Sequence, residues 1–127
     1  MSSKPVGTIG WLDLTVAEAT PVRDFYREVA GWTSTDLDMG GYPDFVMNAP
    51  GVDEAVGGIC HARGGNAGQP PGWMIYIIVA DLDASLAKVV GSGGKLRTPV
   101  RSAGGGRYAV VEDPSGGCAA LYQYESA

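Results

Sequence analysis

An α+β fold made of two tandem β-α-β-β-β units is predicted by a repeat within the sequence and by its turn-forming composition. The stretch WLDLTVAE at residues 11–18 aligns with MIYIIVAD at residues 74–81, so that Trp11 pairs with Met74 and Asp13 with Tyr76. Each stretch precedes a helix-like segment and three strand-like segments. The 20 glycines and 8 prolines supply the tight turns that a strand-rich fold requires.

The first unit begins with a strand whose side chains alternate between an apolar and a mixed face. The two faces consist of Leu12, Leu14 and Val16 on one side and Trp11, Asp13 and Thr15 on the other. The segment TPVRDFYREVAGW then predicts a helix with Thr20 as N-cap, Pro21 at its first position and Gly31 at its end. Three further strands are predicted near residues 33–39, 44–48 and 55–61.

The second unit repeats this order after a glycine- and proline-rich linker. Residues 62–71, ARGGNAGQPP, have the composition of a flexible crossing between units. The segment LDASLAKVVGSGG predicts a helix with Asp83 as N-cap and glycines at its end. Strands follow near residues 95–100, 107–112 and 118–124. We therefore expect one domain over residues 1–127, with units at about 7–61 and 72–125.

Charge and hydropathy exclude several kinds of partner. The net charge of −5 comes without any cluster of Lys or Arg, so no nucleic-acid partner is expected. The longest apolar run, residues 74–80, is too short to cross a bilayer, so no membrane partner is expected. No secretory signal is recognised at the N-terminus, and Cys60 and Cys118 make no disulfide framework. These features indicate a cytoplasmic protein with two small, buried thiols.

Three motifs in this order resemble the vicinal oxygen chelate superfamily, which includes glyoxalase I, bleomycin resistance proteins and extradiol dioxygenases. They are FYREVAGW, VADLDASLAKVVGSGGK and EDPSGGCAAL, and the resemblance covers residues 7–125. With GW in the first strand and VGGI in the fourth, the chain is most similar to a glyoxalase-like subgroup of bacterial proteins. The resemblance implies that the two units curl a mixed sheet of about eight strands around a cleft, with the helices on the outer face.

The resemblance also implies four metal-ligand positions in the cleft of metal-dependent members. Carried over residue by residue, these positions are Trp11, Gly58, Met74 and Ala120. None of them is a suitable ligand, because indole offers only a donor, a thioether suits soft metals, and Gly and Ala offer no side-chain donor. We therefore expect no metal and no cofactor.

A different metal site would use other donors, namely Asp13, Cys60, His61, Glu112 and Cys118. However, Cys60 and His61 are neighbours on a predicted strand, so their side chains point to opposite faces. His61, the only histidine, is predicted to lie at a solvated strand end. These residues therefore do not predict a shared metal site.

Without a metal, the cleft is expected to bind an aromatic or amphipathic metabolite as a small-molecule binding protein. The predicted ligand-binding residues combine stacking faces with polar anchors. They are Trp11, Asp13, Trp73, Met74, Tyr76, Arg107 and Tyr122. The structural alternative for Asp13 is a buried pairing with Arg107, Arg101 or a tyrosine hydroxyl.

Two other functions remain open from the sequence. The first is a glyoxalase-like lyase or isomerase, whose catalytic residue is unknown but for which Asp13 and Glu112 are candidate bases. The second is a dimeric assembly module in which Trp73 is buried only in the homodimer. A homodimer is expected in any of these cases, because members of this fold often dimerise.

Overall fold

The computed structural model describes residues 3–125, which contain two α-helices and nine strands. Their order is β1 (Ile9–Val16), α1 (Ala19–Ala30), β2 (Thr33–Asp38), β3 (Pro43–Asn48), β4 (Ala55–His61), β5 (Trp73–Ile78), α2 (Leu82–Val89), β6 (Lys95–Leu96), β7 (Arg101–Ala103), β8 (Gly106–Glu112) and β9 (Cys118–Tyr124). The predicted α+β class is confirmed. Neither helix is long and apolar enough to cross a membrane.

The predicted strand at residues 95–100 is interrupted, which accounts for the ninth strand. Only Lys95 and Leu96 pair with β8 there, and the chain returns to β8 as β7. Between them, the backbone N–H groups of Arg97 and Thr98 both donate to the Val110 carbonyl, at 2.9 and 3.3 Å. Pro99 follows and has no N–H with which to extend the ladder.

Neither helix has the N-cap residue that the sequence predicted. Helix α1 has Glu18 at its N-cap position, so the predicted cap Thr20 lies inside the first turn. Pro21 is tolerated there because the first-turn N–H groups have no partner within the helix. In α2 the cap is Asp81 instead of Asp83, and its carboxylate accepts from the Ala84 N–H at 3.1 Å. The predicted end at Gly31 is confirmed by its left-handed φ of 71°.

The chain divides into two compact units. The central unit is Leu12–Trp73, and the split unit combines Met1–Trp11 with Met74–Ala127. The start of β1 belongs to the split unit because it lies beside β5. Just before β1, the Gly7 N–H donates to the Ile78 carbonyl at 2.8 Å, and the Ile78 N–H donates to the Thr8 carbonyl at 2.9 Å.

The central unit is a sheet of order β2-β3-β4-β1 with helix α1 packed against one face. Strands β1 and β4 are parallel, and β3 is antiparallel to both of its neighbours. The core on the helix side is formed by Leu14, Ala19, Phe45, Met47 and Ile59. Because side chains alternate along each strand, Asp13, Asp44 and Cys60 lie on the opposite face.

The split unit is a sheet of order β5-β9-β8-β6, with β7 added to β8. Strands β5 and β9 are parallel, whereas β8 and β9 are antiparallel. One face carries helix α2, whose first N–H, at Leu82, donates to the Gln123 side chain at 2.7 Å. The other face, called here the aromatic face, consists of Met74, Tyr76, Tyr108, Val110 and Ala120, bordered by Trp11, Cys118 and Tyr122.

Candidate ligand-binding site

The aromatic face follows directly from strand register in the split unit. Tyr76 lies opposite Ala120, and Ala120 lies opposite Val110, so every second residue of three strands meets on one surface. The rings of Tyr76 and Tyr108 are buried and tilted, with centroids 5.5 Å apart. Trp11 and Tyr122 are only half-buried at the border of this cluster. They are therefore the rings that a ligand can reach.

Tyr122 presents its ring to the aromatic face while its hydroxyl holds the turn between β7 and β8. The hydroxyl is 2.6 Å from the Ala103 carbonyl and 3.0 Å from that of Gly104. A Cβ added at Gly106 would lie 2.6 Å from the ring, so glycine is needed beneath it. Burial, followed by the nearby Tyr124 and Glu125, raises the pKa of Tyr122. The phenol therefore stays protonated and serves as a donor to the turn.

Glu112 closes the other end of the aromatic face in an ion pair. It lies opposite Cys118 in the β8–β9 register. The Arg97 Nη1 donates to the Glu112 carboxylate at 2.7 Å and approaches the Cys118 sulfur at 3.8 Å. The Lys95 ammonium lies 4.0 Å from the other carboxylate oxygen. Two cations, Arg97 and Lys95, thus approach the carboxylate of this candidate base.

Asp13 lies on the face of the central unit opposite helix α1, next to a glycine. Its register partner is Gly58, where an added Cβ would lie 2.5 Å from the Asp13 Oδ1. Gly58 therefore leaves the space that the Asp13 carboxylate occupies.

The Cys60 thiol is close to the same carboxylate. Burial raises its pKa most, followed by the charges of Asp13 and Asp44 and a hydrogen bond to Asp44. Cys60 is therefore held as a neutral thiol and is a poor nucleophile or metal ligand.

His61 is buried, so the prediction of a solvated strand end is wrong. Only 7% of its surface is exposed. Its Nδ1 donates to the Pro43 carbonyl at 2.8 Å, and its backbone N–H donates to the Asp44 carboxylate at 2.8 Å. The pairing of β3 with β4 brings these groups together. Asp44 was not among the predicted site residues, although a carboxylate next to the apolar residues of the strand PDFVMN signals a buried polar partner.

Trp73 lies in a different aromatic cluster, within the central unit. Its indole N–H donates to the Tyr26 hydroxyl at 3.1 Å, and its ring centroid is 6.0 Å from that of Trp32. The side chain is nevertheless 39% exposed. The ligand-binding role of Trp73 stays a prediction.

Arg107 lies on the α2 side of the split unit's sheet, as the strand neighbour of Tyr108. Its Nη2 is 3.5 Å from the Asp83 carboxylate and 3.4 Å from the Gln123 side-chain oxygen. Its predicted role as a polar anchor is untested. The split unit does bring together Trp11, Met74, Tyr76 and Tyr122 on the aromatic face.

The family model described as Glyoxalase/Bleomycin resistance protein/Dioxygenase superfamily matches residues 8–117. The chain belongs to this superfamily. The resemblance predicted from the three sequence motifs is therefore confirmed.

Curated relatives within this superfamily are longer than the chain. It is 34% identical over 119 residues to the "Putative glyoxylase CFP32" of Mycobacterium tuberculosis, covering 92% of this chain and 46% of that protein. It is 29% identical over 110 residues to the anthracycline biosynthesis protein DnrV of Streptomyces peucetius, covering 87% and 39% respectively. The chain thus spans less than half the length of the curated relatives it matches.

Solved structures share the fold of this chain at low sequence identity. Methylmalonyl-CoA epimerase from M. tuberculosis superposes with a TM-score of 0.59 at 17% identity, over 99% of this chain and 94% of that one. The Mn(II)-bound glyoxalase from Novosphingobium aromaticivorans gives a TM-score of 0.60 at 18% identity, over 96% and 42%. Similarity at this level establishes the fold alone.

The four positions that the resemblance predicts as metal ligands carry residues that do not fit a divalent metal. Trp11, Met74 and Ala120 belong to the aromatic face, and Gly58 offers no side chain. Oxygen and imidazole donors are what such metals require. Among residues 3–125, no three His, Cys, Asp or Glu side chains lie close enough together to share a metal ion.

Proposed function

We propose that this superfamily member binds a small aromatic or amphipathic molecule on its aromatic face, without a metal. The observation that carries the proposal is the arrangement of the rings. Half-buried Trp11 and Tyr122 border a buried floor that contains Tyr76 and Tyr108. Such a surface favours planar ligands, because aromatic rings gain stacking energy in addition to apolar burial.

The surroundings of the candidate bases agree better with ligand binding than with catalysis. Glu112 is paired with Arg97 at 2.7 Å, so its carboxylate is already engaged in an ion pair. Asp13 remains the candidate base for a lyase or isomerase, and turnover that is lost in Asp13→Asn would support that alternative.

A homodimer is the second part of the proposal. One side of α1 exposes Phe25 and Val29 by 55% and 63%, and the partly exposed Trp73 lies in the same unit. Exposed apolar groups of this kind favour burial against another protein surface. Light scattering of the purified protein would give a mass of two chains, whereas a monomer would contradict the expected homodimer.

A fluorescence titration with N-phenyl-1-naphthylamine tests the binding proposal. This neutral probe is titrated into chelator-treated wild-type protein and Trp11→Ala. We expect Trp11→Ala to weaken binding roughly tenfold, as loss of a stacking partner predicts. The control is Trp32→Phe, since Trp32 lies in the central unit's aromatic cluster and is not a predicted ligand-binding residue. Absence of probe binding, or equal effects of the two variants, would contradict the proposal.

A further inference from the structure

Arg97 is a guanidinium fixed at the border of the aromatic face. Its Nη1 is 3.8 Å from the sulfur of Cys118, a residue that borders the face. The side chain is 43% exposed, so part of it is open to solvent. Arg97 is therefore a cation beside an aromatic surface, and it stays accessible to a ligand.

The backbone around Arg97 is tied to the floor of the same face. The N–H groups of Arg97 and Thr98 both donate to the carbonyl of Val110, and the Thr98 hydroxyl accepts from the Val110 N–H at 3.0 Å. Val110 itself is fully buried within the aromatic face. Arg97 therefore extends from an anchored segment, which reduces the entropy lost when it holds a ligand group.

Two cations share one carboxylate at Arg97, although the whole chain carries −5. Arg97 and Lys95 both approach the single carboxylate of Glu112, at 2.7 and 4.0 Å. One positive charge is left uncompensated within this group. A carboxylate, sulfonate or phosphate is the ligand chemistry that balances it, and guanidinium binds such groups with directed hydrogen bonds.

We infer that Arg97 anchors an anionic group of the ligand, so that the aromatic face takes aromatic anions in preference to neutral aromatics. This inference rests on the proposed function and names the class of its ligand. Glu112 then acts as a positioning residue that holds the guanidinium at the border of the face through its 2.7 Å hydrogen bond.

Two probes that share one ring scaffold test this inference. 8-Anilino-1-naphthalenesulfonate carries a sulfonate, whereas N-phenyl-1-naphthylamine is neutral. We expect the wild-type protein to bind the anionic probe more tightly, and Arg97→Gln to weaken that binding roughly tenfold while leaving the neutral probe unchanged. Added salt should weaken only the anionic probe, because it screens the partly exposed charge.

Matched variants separate a local anchor from an effect of net charge. Arg27→Gln removes a similarly exposed arginine that pairs with Asp24 in the central unit, and it should change neither affinity. Arg97→Lys keeps the charge and should retain most of the preference. If both probes bind wild-type protein equally, or if Arg97→Gln weakens both alike, the inference is overturned while neutral-probe binding still supports the proposed function. If neither probe binds, both fail.

Discussion

Replacing Gly58 with alanine tests how the sheet of the central unit makes room for the Asp13 carboxylate. A Cβ at this position would lie 2.5 Å from the Asp13 Oδ1 and 3.6 Å from the Cys60 sulfur. Ordinary carbon–oxygen contacts are about 3.3–3.6 Å, so the carboxylate has to move by roughly 1 Å. The three atoms nearest to the added group, apart from the chain neighbours, all belong to the side chains of Asp13 and Cys60. The clash therefore involves Asp13 alone.

The expected destabilisation follows from two opposing terms. Overpacking a fitted site costs about 1–3 kcal/mol, whereas alanine in place of strand glycine recovers about 0.5–1 kcal/mol. We expect Gly58→Ala to lower the free energy of unfolding by about 1.5 kcal/mol, which for a chain of 127 residues lowers Tm by roughly 5 °C. In an Asp13→Ala background the clash is absent, so the same substitution should be neutral or slightly stabilising.

Urea unfolding followed by far-UV circular dichroism measures this coupling in a double-mutant cycle. Gly57→Ala is the matched control, because its Cβ would lie 2.6 Å from the Leu12 backbone carbonyl. Its cost should therefore be the same with or without Asp13. If Gly58→Ala costs the same in both backgrounds, Gly58 does not make room for the Asp13 carboxylate.

Three further predictions concern the thiol, the helix cap and the floor of the aromatic face. Burial and the charges of Asp13 and Asp44 raise the pKa of Cys60. In folded Cys118→Ser protein, Cys60 should therefore react with Ellman's reagent at pH 8 more slowly than in urea, and Asp13→Asn should speed the folded reaction. Equal rates in folded and unfolded protein would exclude this cause. Asp81→Ala should lower the free energy of urea unfolding by about 1 kcal/mol, whereas an equal loss in Asp83→Ala would contradict the cap assignment. Val110→Ala should lower the free energy of unfolding by about 2 kcal/mol, whereas replacing the exposed Val90 with alanine should lower it by less than about 0.5 kcal/mol. Similar losses in the two variants would contradict the burial of Val110.

Local sequence signals were sufficient for most of the fold. The alternation in residues 11–16 and 74–79 and the glycine at the end of α1 predicted the elements that the structure contains. The predicted strands 55–61 and 118–124 coincide with β4 and β9. The caps were harder to predict, because Asp81 and Asp83 are both suitable residues and only the backbone conformation selects between them.

The surroundings of the site residues depend on contacts that are distant in sequence. The burial of His61 requires Pro43 and Asp44, which strand pairing brings beside it. The ion pair of Glu112 requires Arg97, placed by the interrupted strand after β6. Neither relation has a periodic signal in the sequence. By contrast, Met74 and Tyr76 were identifiable as one group from alternation within a single strand, which is a local property, whereas Trp11 was added to them through the resemblance.

Metal-independent binding is tested most directly by titrating N-phenyl-1-naphthylamine into protein purified without added metal or chelator, with elemental analysis of the same sample. We predict substoichiometric metal and a Kd that is unchanged after treatment with EDTA or after addition of Mn, Ni or Zn. Near-stoichiometric metal, together with binding that is lost on chelation and restored by one of these ions, would contradict metal-free recognition on the aromatic face.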